Sequence, residues 1–313
     1  MTIGIGAFGP NAGLAVFRAL RAAEKVGTGA IGGFATFAAI TEDGRAVFSV
    51  TQRGGAATAF TEGETTGVEP WPEFASARIA AVISSGPDRP GDLTKFIPID
   101  PGVGLVTGHR IPPTTGTNGK PMSSDALDRM RAGLSGADAA AKVTADTPEG
   151  DCGLITIDLQ GRIGVSNTAR VLLRPDVATV LRRDAETGAA VGVLHNAIRP
   201  HGVVAELAAA VALETMSGEP TPKGFATIVA GTPIGMGDEN AVICDETGRA
   251  IRVTTTDPSV GLRGELGAAI YLASAVYLGD KLVGRTMFEP ITTIDGGRLI
   301  ALSGKDCLRI SYR

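Results

Sequence analysis

The chain has 313 residues, a formal net charge of −4, and Lys and Arg scattered with no basic stripe interleaved by aromatics, so nucleic acid is not an expected partner. Gly accounts for 43 residues and aromatics for only 4%, which implies an interior of Val, Ile, Leu and Ala joined by tight turns, as in an α/β protein. The opening MTIGIGAFGP lacks the pattern of a secretory signal, and the longest apolar run, AAIYLASAVYL at 268–278, is about half a membrane span; a cytoplasmic protein without a membrane segment is expected.

In chain order, TIGIGAF (2–8) reads as a strand. The stretch 12–26 reads as a helix in which Leu14, Phe17 and Leu20 share one face and Arg18, Arg21 and Lys25 another. TEDGRAVFSV (41–50) has β-prone runs flanking a polar, Gly-containing turn, the pattern of a hairpin. VGLVTGH (103–109) is a second leading strand. Helical periodicity follows at 123–145, with Ser123 and Ser124 as N-caps and a bend near Gly133 to Gly136. DLQGRIGVSN (158–167) is the next hairpin. The charged LRPDVATVLRRDAETG (173–188) lacks a strand pattern and reads as a connection. AAVGVLHN (189–196), a helix at 203–216 and the hairpin DETGRAIRVT (245–254) make a third group. RVTTTDPSVGL (252–262), a helix at 265–278 and the hairpin IDGGRLIALS (294–303) make a fourth.

The recurring unit is therefore strand, helix, strand, strand. GFAT occurs at 33–36 and again at 224–227, each time opening the third element, which points to a duplicated half. The expected organisation is a first half at 1–172, a connection at 173–188 and a second half at 189–313. The expected fold class is α/β (α+β), layered helix-sheet-sheet-helix. The alternative is a pseudo-symmetric barrel of four units.

The histidines offer the clearest chemical signal. His109 and His195 end leading strands, and His201 follows in the turn after the second of them. The matching turns elsewhere carry Asn11, and Asp257 with Arg263. Turns of this kind expose helix N-terminal N–H groups, and Arg110, Arg199 and neighbouring Asn196 add donors suited to an anion. Other features are weaker. Asp238 and Glu239 in AGTPIGMGDENAV (230–242) lack further ligands at a metal-binding spacing. The long 53–72 loop, with Glu62, Glu64, Glu69 and Trp71, is a lid candidate, and Lys120 borders the turn after His109. Cys152, Cys244 and Cys307 are odd in number and far apart, so neither a disulfide framework nor a zinc site is expected. Cys152 and Thr28 are further nucleophile candidates. No metal and no cofactor is expected.

The stretch Thr36–Arg170 resembles the Ntn-hydrolase superfamily, in particular bacterial members that open on a Thr-Phe strand. The resemblance rests on TFAAITEDGRAVFSVTQRGG as the leading hairpin, GVGLVTGHR as a strand ending at a helix start, ALDRMRAGLSGADAAAKV as a helical pair, and CGLITIDLQGRIGVSNTAR as the next hairpin. It implies a nucleophilic Thr36 whose own α-amine, freed by cleavage after Ala35, acts as base. Thr51 and Arg53 would stand nearby, with an oxyanion site near Gly108 and His109. The implied activity is hydrolysis of a C–N amide bond in a small anionic metabolite, contacted by Asn11, Gly108, His195, Asn196, Arg199 and His201. Two alternatives stand beside it. One is a hydrolase that uses His109, His195 and His201 with Arg110 and Arg199 and needs no self-cleavage. The other is a non-catalytic scaffold that binds a metabolite or forms a homo-oligomer.

Overall fold

In the computed structural model, residues 2–218, 222–261 and 265–313 are described, without the side chains of 260, 261, 265 and 266. In chain order the first elements are β1 (Thr2–Phe8), α1 (Ala12–Val26), β2 (Ala35–Ile40), β3 (Ala46–Thr51), α2 (Ala56–Ala59), β4 (Thr61–Glu62), β5 (Thr65–Thr66), α3 (Pro72–Ala75), β6 (Ile79–Ser85) and β7 (Ile99–Asp100). Then follow β8 (Gly104–Arg110), α4 (Met122–Arg131), α5 (Gly136–Asp146), β9 (Cys152–Asp158), β10 (Ile163–Asn167), α6 (Ala169–Leu172), β11 (Val177–Arg183), β12 (Ala190–Asn196) and α7 (His201–Ser217). These lie in one compact unit, residues 1–219, and the remainder, 220–313, forms another. The division between the compact units thus falls just after α7.

In the first unit the strands make an antiparallel six-stranded sheet, β11-β12-β1-β6-β2-β3, and a four-stranded sheet, β10-β9-β8-β7. Strand alternation sends Ile3, Ile5 and Ala7 of β1 to one face, where they join a core with Phe17 and Leu20 of α1 and Val204 and Ala208 of α7. Phe17 and Phe37 meet Phe60 there edge to face and Phe74 packs on Phe60 tilted, each buried ring contributing roughly 1.5–3 kcal/mol. The opposite face of the large sheet packs on the small one through Ala38, Ile83, Leu194, Leu105, Ile155 and Ile157. The far face of the small sheet is covered by α4 and α5 through Val106, Leu154, Met122, Ala126 and Val143.

Glycines set how closely the two sheets approach. A methyl on Gly4 would fall inside the carbonyl oxygen of Gly108, and one on Gly6 would strike Ile155 and Ile157. The helical pair 123–145 bends where Gly133 takes φ 102 and Ser135 caps α5 by accepting from the Asp138 N–H at 3.1 Å.

Some expectations are corrected. The 173–188 stretch contains β11, an edge strand on β12, because Val177, Thr179 and Leu181 alternate with residues on the sheet's other face even though Arg182 and Arg183 follow. The 53–72 loop is partly ordered by α2 and the β4–β5 ladder, with Phe60 packing against Trp71.

The second unit is β-rich, with β13 (Gly224–Val229), β14 (Ile234–Met236), β15 (Ala241–Cys244), β16 (Ala250–Thr255), β17 (Glu265–Ala268), β18 (Ala275–Leu278), β19 (Lys281–Arg285), β20 (Ile291–Asp295), β21 (Arg298–Leu302) and β22 (Cys307–Tyr312). The helix expected at 265–278 is absent: β17 and β18 occupy that stretch, and β18 pairs in parallel with β15 and antiparallel with β19. β-branched and aromatic neighbours can use such an apolar run as strand when partners are on both sides. The second GFAT opens β13, which pairs with the terminal β22, whereas the first leads into β2 between β3 and β6. All four Gly-Arg hairpins form. The chain is a mixed α/β protein, and among the described residues its sheets close into no barrel. No helix among them is long and apolar enough to cross a membrane.

Candidate functional site

One end of the six-stranded sheet is unusually polar. Thr2 of β1 lies opposite Asn196 of β12 on one side and Ser85 of β6 on the other. Cross-strand partners share a face, and Gly4 and Gly6 aim at β8 and β9, so Thr2 and Asn196 belong to the face toward the small sheet. There His109, next to last in β8, is fully buried, its Nε2 2.7 Å from Asn167 Oδ1 of β10. Asn167 Nδ2 donates to Thr179 Oγ1 of β11 at 3.0 Å, which fixes the amide's orientation. A carboxamide oxygen only accepts, so His109 Nε2 carries the proton and Nδ1 keeps a bare lone pair. Gly153 lies beneath this bond, where a methyl would collide with the imidazole and with Asn167 Oδ1.

His195, also fully buried, donates from Nε2 to the His201 carbonyl at 2.7 Å and likewise keeps a bare Nδ1. It pairs with Ile3, as Ser84 does from the other side, so these two belong to the helix-covered face. His109 Nδ1, His195 Nδ1, both amide atoms of Asn196 and the Ser84 hydroxyl are buried without a hydrogen-bond partner among the described residues. Each such atom costs about 1–3 kcal/mol, so five of them on two facing sheets at this end is a concentrated cost.

Burial disfavours charge on both buried histidines. Burial pushes His109 down to about 4, with Asn167 opposing and Arg110 and His195 adding to the fall; burial also lowers His195. The Arg110 guanidinium grips Asp151 through both carboxylate oxygens, one contact at 2.8 Å, and holds that carboxyl below its usual range. Two residues here also carry backbone strain: Arg110 and Ala197, each just after a buried polar residue, take φ 63 and φ 56, costing about 1–2 kcal/mol apiece.

Gly108, His109, Arg110, His195, Asn196, Arg199 and His201 thus gather around one end of the sheet. The remaining sequence candidates do not join them. Asn11 occupies the N-cap position of α1 at the opposite end, beyond Phe8, without a side-chain capping bond. Thr51 ends β3, three strands from β1, and Arg53 lies just beyond it; Thr51 contacts Thr58, and Arg53 pairs with Asp88 at 2.6 Å. Thr36 is fully buried within β2, its hydroxyl donating to the Leu93 carbonyl at 3.1 Å. Cys152 is buried against Met122, its thiol pushed up to about 12 by burial, with Asp151 adding to the rise; it has no nucleophilic character at neutral pH. Asp257 accepts from Tyr271 at 3.0 Å, and Arg263 lies outside the described residues. Glu239 accepts from Tyr277 at 2.5 Å beside Asp238 and Asp280, and Lys120 pairs with Asp128. Among the described residues no group of three or more His, Cys, Asp and Glu could hold a metal.

Thr2, Asn167 and Asp176 escaped the sequence reading. The signal for Thr2 was present in TIGIGAF, where Gly at alternate positions marks a face pressed against another backbone. Nothing local marks Asn167, whose partner lies 58 residues away.

Residues 2–225 match a family model described as Domain of unknown function (DUF6963), and residues 231–307 match one described as Domain of unknown function (DUF7259). No curated protein matches the chain. The first match nearly coincides with the first compact unit, which holds the polar end of the sheet.

Proposed function

The chain belongs to the family described as Domain of unknown function (DUF6963), and within that span we propose an amide hydrolase that cleaves the C–N bond of a small anionic metabolite. The observation that carries this reading is the meeting of Thr2, at the start of central strand β1, with the unpartnered amide of Asn196 on the face toward His109. The succession of helix, sheet, sheet and helix in the first unit supports an Ntn-like arrangement.

In this reading the nucleophile is Thr2 and not Thr36, whose hydroxyl is already engaged. Its Oγ attacks the amide carbonyl carbon and gives its proton to an α-amine freed by cleavage of the bond before Thr2. Asn196 Nδ2 donates to the oxyanion, a contribution of about 3–4 kcal/mol where such a donor is preorganised. The C–N bond breaks, the leaving amine takes the proton, and water then hydrolyses the ester on Thr2. His109, neutral and weakly basic, supplies an acceptor without adding positive charge.

The test is the N-terminal sequence of the purified protein together with turnover of an amide panel. A chain beginning at Thr2, and loss of turnover by at least about a hundredfold in Thr2→Ala, are expected. Full turnover in Thr2→Ala would overturn the mechanism. In that case His109→Ala decides whether the histidines act without self-cleavage.

A further inference from the structure

A pocket of about 390 Å³ opens beside this end of the sheet, lined by Thr28, Gly29, Asp176, Ala197, Arg199 and His201. Its two charged walls differ in kind. Arg199 is exposed and makes no ion pair among the described residues, while its backbone is fixed by reciprocal bonds with Thr28 at 2.9 and 3.0 Å. Asp176 is half-buried and held by Arg174 through both oxygens at 2.8 and 2.6 Å, which keeps its carboxyl below the usual range. Each of those oxygens retains a second lone pair. His201 donates from Nδ1 to the Ile198 carbonyl at 2.8 Å, and Nε2 of the neutral ring is an acceptor.

We propose that this pocket binds a zwitterionic amino-acid head group, its carboxylate on Arg199 and its ammonium on Asp176 and His201 Nε2. A dianion such as phosphate would be repelled by Asp176, and a simple cation would meet Arg199; only a ligand carrying both charges is matched by both walls. The proposal rests on the hydrolase reading for the fate of the bound molecule, naming its substrate as an amide that bears an amino-acid head. Head-group binding itself needs no turnover.

The test titrates glycine, acetate, methylammonium and inorganic phosphate into full-length Thr2→Ala protein at constant ionic strength, by calorimetry. Glycine is expected to bind at least about tenfold more tightly than the other three. Arg199→Gln is expected to weaken glycine binding by at least about tenfold with an unchanged melting temperature, and Asp176→Asn to abolish the advantage of glycine over acetate. Because Asp176→Asn also releases Arg174, the variant Arg174→Gln, which keeps the Asp176 charge, is expected to retain that advantage. Equal binding of acetate and glycine, tighter phosphate, or normal glycine binding by Arg199→Gln would each overturn the proposal. If wild-type protein still hydrolyses amides after such an outcome, the head-group assignment alone falls.

Discussion

The two ends of the six-stranded sheet are built from the same strands and differ in what they bury. At one end Phe8 packs against Gly161 and under Arg78, with Ile79 and Ala190 across the ladder, and the contacts are apolar or cation–π. At the other, Thr2, Ser84, His109, His195 and Asn196 are buried, and several of their polar atoms lack partners. The apolar end is explained by packing alone. The polar end costs stability that its contacts do not repay, and on the hydrolase proposal it holds substrate, so mutations at the two ends should separate stability from function.

The largest effect is expected where the sheets touch. Gly4→Ala places a methyl into the Gly108 carbonyl, a backbone atom that cannot swing away, and should cost about 3 kcal/mol or more in a denaturant titration. Second is the response to acid. An unfolded chain protonates His109 near 6.5, the folded one only near 4, so this group's stabilisation is complete above pH 6.5 and declines as pH falls toward 4. The loss should total about 3 kcal/mol, and melting temperature measured across that range should decline less steeply in His109→Gln.

The third experiment contrasts the ends directly. Asn196→Leu removes two unsatisfied polar atoms and should raise stability by about 1–2 kcal/mol while abolishing turnover. Gly161→Ala, at φ 75 and against the Phe8 ring, should lower stability by about 1–3 kcal/mol and leave turnover per folded molecule unchanged. If both variants changed stability and activity together, the contrast between the ends would collapse. The smallest effect concerns Glu24, raised to about 7 chiefly by burial and partly restrained by the Ala56 N–H that it accepts; being partly exposed, it is screened by solvent as His109 is not. Its folded form favours the proton, so the stability it contributes is lost as pH rises through 7. Glu24→Gln should therefore gain slightly in melting temperature above pH 7 and not below pH 5.

Much of the secondary structure was legible because its causes are local. The four Gly-Arg hairpins, the strands at 2–8, 103–109 and 189–196 and the amphipathic α1 follow from turn residues and periodicity. The 265–278 stretch was misread because a short apolar run fits helix or strand equally, and its pairing with β15, some thirty residues earlier, decided between them. The charged 173–188 stretch was misread because an edge strand buries only one face and tolerates Arg on the other.

The site divides in the same way. Sequence by itself placed His109, His195 and His201 in related turns, since a strand ending and a helix beginning are written within a few residues. It also raised Thr36, which is buried and bonded, and passed over Thr2, which stands at the polar end. Only tertiary structure distinguishes the surroundings of these two threonines. Whether a hydroxyl is engaged or unengaged depends on which strand lies across from it and how close the second sheet comes, and those distances are set by glycines and partners far away in the chain.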